Sequence, residues 1–160
     1  MVHKHGSLVQ DVRRPARGTV HRVLNAMSYA IPNSHPTPPM GWMSWTQFKC
    51  QIDCEKYPDG CISEKLYKDM ADQLVYGGYR EAGYNHIHID DCWLERTRDA
   101  DGRLVADKTR FPSGIKALSD YMHSMNLFLG IYEDWGNKTC AGYPGSNGHV
   151  EASFFSSSLP

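Results

Sequence analysis

The chain has 160 residues, 41% of them hydrophobic, with 17 basic and 18 acidic side chains and a formal net charge of −1. That balance leaves no electrostatic footprint for nucleic acid or an anionic membrane, while the apolar content suffices for one globular core. No stretch reaches the roughly 20 apolar residues that span a bilayer, so the expected partner is a small neutral molecule or another protein.

Residues 1–36 contain Lys4, Arg13, Arg14, Arg17 and Arg22 but no compact apolar region followed by a small-residue cleavage site, so no secretory signal is visible. They show no sustained period and are expected to be irregular. From Thr37 the pattern changes. The apolar segment 39–45, ending in Trp45, predicts a first strand. Ser63 is a plausible N-cap for a helix in which Leu66, Met70 and Leu74, with Tyr67, Ala71 and Val75, recur at helical spacing until Gly77-Gly78. The β-branched run 86–91 predicts a buried second strand, and a charged loop follows over 95–112. A second helix carries Ile115, Leu118, Met122 and Met125 on its buried face, and 127–132 predicts a third strand. The tail 151–160 matches neither a helix nor a strand.

Alternating strands and helices imply a parallel sheet. A doubly wound dinucleotide-binding sheet would carry a glycine-rich turn after its first strand, where this chain has a cysteine-laced loop. The (β/α)₈ TIM barrel is therefore the favoured α/β class. Such a barrel takes about 250 residues, so the chain provides about its first three βα units.

Cysteines occupy positions 50, 54, 61, 92 and 140. Four of them can form two disulfides, which is favoured over a zinc site because Cys50, Cys54 and Cys61 include no Cys-x-x-Cys pair and no histidine follows at a ligand-like interval. Cys140 is left over. Asn137-Lys138-Thr139 is an N-glycosylation sequon and fits an oxidising compartment.

In a parallel barrel the active site lies at the C-terminal strand ends. This sequence places Trp45 there, then Asp90 and Asp91, then Tyr132, Glu133 and Asp134. Carboxylates accept hydrogen bonds from hydroxyls and aromatic faces pack on sugar C–H patches, so the mixture suits a carbohydrate. Asp90-Asp91 could instead be a solvated strand end, and Trp45 or Tyr132 core. A competing reading takes His86, His88 and Asp90, alternate residues on one strand face, as part of a metal-dependent amidohydrolase.

The string 38–45 (Pro-Pro-Met-Gly-Trp-Met-Ser-Trp), Cys50 and Cys54, Cys61-Ile62-Ser63-Glu64, Ile89-Asp90-Asp91-Cys92-Trp93, Arg110-Phe111-Pro112, and Gly130-Ile131-Tyr132 through Cys140-Ala141-Gly142-Tyr143-Pro144-Gly145-Ser146 resembles glycoside hydrolase family 27, the α-galactosidases and α-N-acetylgalactosaminidases. The likeness runs in order over 37–148, with 37–150 as the barrel portion. It implies hydrolysis of terminal α-linked galactose or N-acetylgalactosamine with retention, on glycans, glycolipids or oligosaccharides, without metal or organic cofactor. It further implies homodimeric full-length relatives in lysosomal or secreted settings.

By the same resemblance Trp45 packs on the galactose ring, Asp90 and Asp91 bind its hydroxyls, and Tyr132 and Cys140 line the pocket. Cys50 pairs with Cys92 and Cys54 with Cys61, leaving Cys140 unpaired. The family's nucleophile and acid/base aspartates lie on its fourth and sixth strands, and the likeness fades after Glu151 before either. The expectation is an N-terminal barrel fragment, inactive alone, from a truncated product. A non-catalytic galactose-binding or regulatory role is the alternative.

Overall fold

The computed structural model describes residues 38–149. The segments 1–36 and 151–160 lie outside the described residues. The elements in chain order are β1 (Gly41–Met43), α1 (Trp45–Phe48), α2 (Glu64–Tyr76), β2 (His86–Ile89), α3 (Gly114–Ser124) and β3 (Phe128–Ile131). The three strands form one parallel sheet in the order β1-β2-β3. Each parallel step requires a crossover, which α2 and α3 supply. This is the β-α-β-α-β opening of a (β/α)₈ barrel.

Residue spacing decides which sheet face is which. Ile87, Ile89 and Leu129 are buried in one core cluster with Leu66, Ala71 and Leu74 of α2 and Leu118 and Met122 of α3. The alternate residues point to the opposite face, the one a closed barrel turns inward. There Met43, His88 and Gly130 stand on one rung of the sheet.

Helix α2 begins where expected: Ser63 is extended and its hydroxyl accepts the Leu66 N–H at 3.4 Å. It ends at Gly77, followed by Gly78 at a φ of +77°. In α3, Leu118 and Met122 are fully buried, whereas Ile115 and Met125 only flank the core. The first strand is shorter than the apolar run suggests. Ser44 already has helical dihedrals, and its carbonyl accepts the Phe48 N–H at 2.9 Å, so Trp45 opens a helical turn instead of extending β1.

β1 depends on a glycine. A Cβ on Gly41 would lie 2.0 Å from the carbonyl oxygen of His86, its partner in the ladder. No side chain fits between these backbones.

The connections are cross-braced. Cys50 is bonded to Cys92 with Cα atoms 5.6 Å apart, and Cys54 to Cys61 at 5.0 Å. All four sulfurs are thereby used, which removes the zinc alternative. Closing a loop of 42 residues is worth about 4 kcal/mol in the chain-entropy account. Arg110 is buried between the two disulfide-bearing loops: Nη1 donates to the carbonyls of Ile62 and Cys92, each at 2.7 Å, and Nη2 pairs with Asp107 at 3.1 Å. The charged stretch 95–112 folds as a narrow antiparallel ribbon, with a Leu94–Ala106 bridge and the Glu95 N–H donating to Val105 at 2.7 Å.

Gly41→Ala is expected to destabilise the chain by about 3 kcal/mol or more, because the collision is with backbone and cannot be relieved by a rotamer change. A urea-unfolding midpoint for the variant equal to that of the parent chain would refute this account of β1.

Candidate functional site

The C-terminal ends of β1, β2 and β3 converge on a cleft of about 180 Å³ whose lining includes Met43, His88, Asp90, Gly130 and Tyr132. Asp90 is half-buried, and its Oδ1 accepts the Asp91 N–H at 2.7 Å. Burial holds its carboxyl above the usual range, a shift opposed by that backbone hydrogen bond and reinforced by the neighbouring Asp91. Tyr132 continues β3, with its N–H donating to Ile89 at 2.8 Å and its carbonyl accepting the Trp93 indole at 2.9 Å. Its phenol is pushed up first by burial, then by Cys140, Asp91 and Asp134, and it donates to Asp134 Oδ2 at 3.4 Å.

Asp91 behaves differently from its neighbour. It is 2% exposed, with Oδ1 accepting the Cys92 N–H at 2.7 Å and Oδ2 the Ala141 N–H at 2.9 Å. One carboxylate thus ties the end of β2 to the loop after β3. An ionised carboxylate has about four acceptor positions, so these two bonds leave room for a further donor.

Trp45 stands at the start of α1 and is 37% exposed. Cys140 is exposed and unpaired, and its thiol neighbours the Tyr132 hydroxyl. Asn137 is exposed, its side-chain oxygen accepting from Asn147 Nδ2 at 2.8 Å.

Among the described residues His86 and His88 are joined by no third ligand-type side chain. Their rings stack with centroids 5.7 Å apart and an interplanar angle of 12°, and His86 Nδ1 lies 2.8 Å from Asn85 Oδ1. Burial and the neighbouring His86 both lower the pKa of His88. Among the described residues no three His, Cys, Asp or Glu side chains gather as a metal-binding group, so the amidohydrolase reading finds no support.

Three residues matter here that the sequence did not single out for these roles. Ser44 is fully buried, and its Oγ accepts both the Tyr67 hydroxyl at 3.0 Å and the Asp90 N–H at 3.3 Å. It therefore fixes the end of β2 from the end of β1. Glu133 follows Tyr132, and its Oε1 is buried without a hydrogen-bond partner among the described residues. Burial pushes its carboxyl up to about 7, against the opposing pull of Arg98. Trp135 is 70% exposed on the turn after β3. A lone serine after an apolar run carries no sequence signal for its partner, and the burial of Glu133 follows from tertiary packing.

A parallel sheet with helices on one face, and carboxylate and aromatic side chains around a cleft at its strand ends, defines part of a (β/α)₈ barrel with its site in the position usual for that fold. The melibiase family described as alpha galactosidase A matches residues 37–157, and the chain belongs to this family. It is 50% identical to human alpha-galactosidase A over 137 residues, covering 81% of this chain and 32% of that protein. It is 56% identical to chicken alpha-N-acetylgalactosaminidase over 110 residues, covering 69% of this chain and 27% of that protein. Among solved structures, an α-galactosidase of Saccharomyces cerevisiae matches with a TM-score of 0.66 at 40% identity, covering 75% of this chain and 24% of that one. The same enzyme with raffinose matches at 0.65 and 41% identity, over 73% of this chain and 24% of that chain. The chain spans about a third or less of the length of these relatives.

Ser44→Ala is expected to cost about 1–3 kcal/mol, since it leaves the buried Tyr67 hydroxyl without its acceptor. A Ser44→Ala, Tyr67→Phe double-mutant cycle with no coupling would contradict this. The Glu133 carboxyl is raised in the folded state, so between its unfolded value and about 7 the folded chain holds more protons than the unfolded one. Its contribution is present at low pH and is lost as pH rises through about 7. Melting temperature should fall between pH 5 and pH 8, and Glu133→Gln should flatten that fall; an unchanged slope in the variant would refute the assignment.

Proposed function

We propose that this chain supplies the sugar-recognising half of a retaining α-galactoside hydrolase, with residues 37–150 as the barrel portion. The observation that carries the reading is the convergence of Asp90 and Tyr132 on one cleft at adjacent parallel strand ends, with Asp91 directly behind them. In this reading Asp90 accepts hydrogen bonds from ring hydroxyls, Asp91 offers its remaining lone pairs, and the Trp45 indole packs on the C–H face of a terminal α-linked galactose or N-acetylgalactosamine. Tyr132 and Cys140 close the side of the pocket. A relative crystallised with raffinose, an α-galactoside, is compatible with this substrate class.

Retaining hydrolysis needs two carboxyl groups about 5–5.5 Å apart on either side of the scissile bond, one attacking the anomeric carbon and the other protonating the leaving oxygen. Of the carboxylates at the described strand ends, Asp90 faces the cleft, Asp91 accepts from two backbone donors, Asp134 from the Gly136 N–H and Tyr132, and Glu133 is buried under the influence of Arg98. The family resemblance implies that the nucleophile and acid/base lie on the fourth and sixth strands of the barrel. A lysosomal or secretory setting accords with the two disulfides and the Asn137 sequon.

The 160-residue chain is expected to give a saturable tryptophan-fluorescence response to galactose that Asp90→Ala abolishes, and no product from a chromogenic α-galactoside. An identical response in Asp90→Ala, or none in the parent chain, would sink the recognition role. Turnover by the chain alone would overturn the assignment of the catalytic pair.

A further inference from the structure

We infer that Trp135 is a stacking platform for an N-linked glycan carried on Asn137, an inference that rests on Asn137 being a glycosylation acceptor.

Trp135 has an unusual setting for so apolar a side chain. It is 70% exposed, and its indole has no hydrogen bond or ring contact among the described residues. Its backbone, by contrast, is held on both sides. Asp134 Oδ1 accepts the Gly136 N–H at 2.5 Å, while the Asp134 carbonyl accepts both the N–H and the hydroxyl of Ser146, at 2.7 and 2.8 Å. The Gly136 carbonyl accepts the Asn147 N–H at 3.1 Å, and the Asn137 carbonyl the Gly145 N–H at 3.0 Å. Gly145 approaches so closely that a Cβ on it would sit 2.1 Å from the Gly136 oxygen. Because the backbone that displays the indole is fixed in advance, binding need order only the side chain.

The occupant follows from what is beside it. Asn137 is two residues away, so the two Cα atoms are at most about 7 Å apart, within the reach of an indole. Asn137 opens the sequon completed by Thr139, and its side-chain oxygen is engaged by Asn147 Nδ2, leaving its own amide nitrogen as the free end. In the folded chain Thr139 is 5% exposed and its hydroxyl accepts the Tyr143 N–H at 3.1 Å, so transfer would precede closure of this turn. In that transfer Asn137 Nδ2 attacks the anomeric carbon of a lipid-linked oligosaccharide, loses one N–H proton and releases the lipid diphosphate. The first sugar then emerges next to the indole, and its C–H face covers apolar surface that water otherwise wets. The exposed Asn137, Lys138 and Asn147 side chains of the same loop suit a hydroxylated partner better than a lipid or an apolar peptide.

The test expresses the full chain behind a cleavable secretory leader in eukaryotic cells, with Trp135→Ala, Trp135→Phe and Asn137→Gln singly and combined. Mass spectrometry is expected to find a glycan on Asn137. Trp135→Ala should lower the melting midpoint of the glycosylated chain by about 4 °C or more, leave the Asn137→Gln chain unmoved, and be largely rescued by Trp135→Phe. Acrylamide quenching gives a second readout that needs no cooperative melt: enzymatic removal of the glycan should expose an indole signal present in the parent and missing in Trp135→Ala. An unmodified Asn137, or equal effects of Trp135→Ala with and without the glycan, would overturn the inference. Protection of Trp135 by raffinose in the unglycosylated chain would also overturn it, reassigning the indole to the substrate rim and leaving the sugar-recognition reading intact.

Discussion

The close backbone contact between Gly41 and His86 is the constraint on which the rest of this structure hangs. Strand β1 is only three residues long and holds its place through the ladder with β2. Because the strands approach so closely, Ser44 arrives within hydrogen-bonding distance of the Asp90 backbone, and Trp45 emerges on the same end of the sheet as Asp90 and Tyr132. Local sequence preference alone would not hold so short a strand. The Cys50–Cys92 bond then ties the segment beyond α1 to the segment beyond β2, so the loops that border the cleft are covalently paired.

The two adjacent aspartates divide the work. Alternation along a strand sends neighbours to opposite sides. Asp90 faces the cleft, half-buried and with its proton affinity raised, while Asp91 turns into the loops and accepts from two backbone donors. The buried acceptor keeps its two loops in place, and the half-buried one lines the cleft. Such pairing of a supporting group with a contacting group is what a preorganised site requires.

The parts of this fold legible in the sequence were those governed by period. The β-branched run 86–91 predicts β2, found at His86–Ile89, and the spacing of Leu118 and Met122 predicts α3, because burial on one face writes itself into a helix's pattern. The strand-end position of Asp90 and Tyr132 followed from the β-α alternation. The end of β1 was misjudged because the apolar run continues through Trp45, whereas the backbone turns helical at Ser44. The role of Ser44, the buried state of Glu133 and the loop-bridging role of Asp91 depend on partners 23 to 50 positions away for Ser44 and Asp91, and on packing for Glu133. No local pattern encodes those.

The bond from the Ala141 N–H to Asp91 has a consequence for how variation in this region would be interpreted. Residues 139–143 form a small knot: the Thr139 hydroxyl holds Tyr143, and the Arg96 guanidinium lies 4.0 Å over the Tyr143 ring. A substitution at Thr139 or Tyr143 touches no part of the cleft lining, yet it would release one arm of Asp91 and so alter the carboxylate next to Asp90. In a mutational screen such positions would score as affinity defects with near-normal folding, and a map of the phenotype would draw the pocket larger than its contacts.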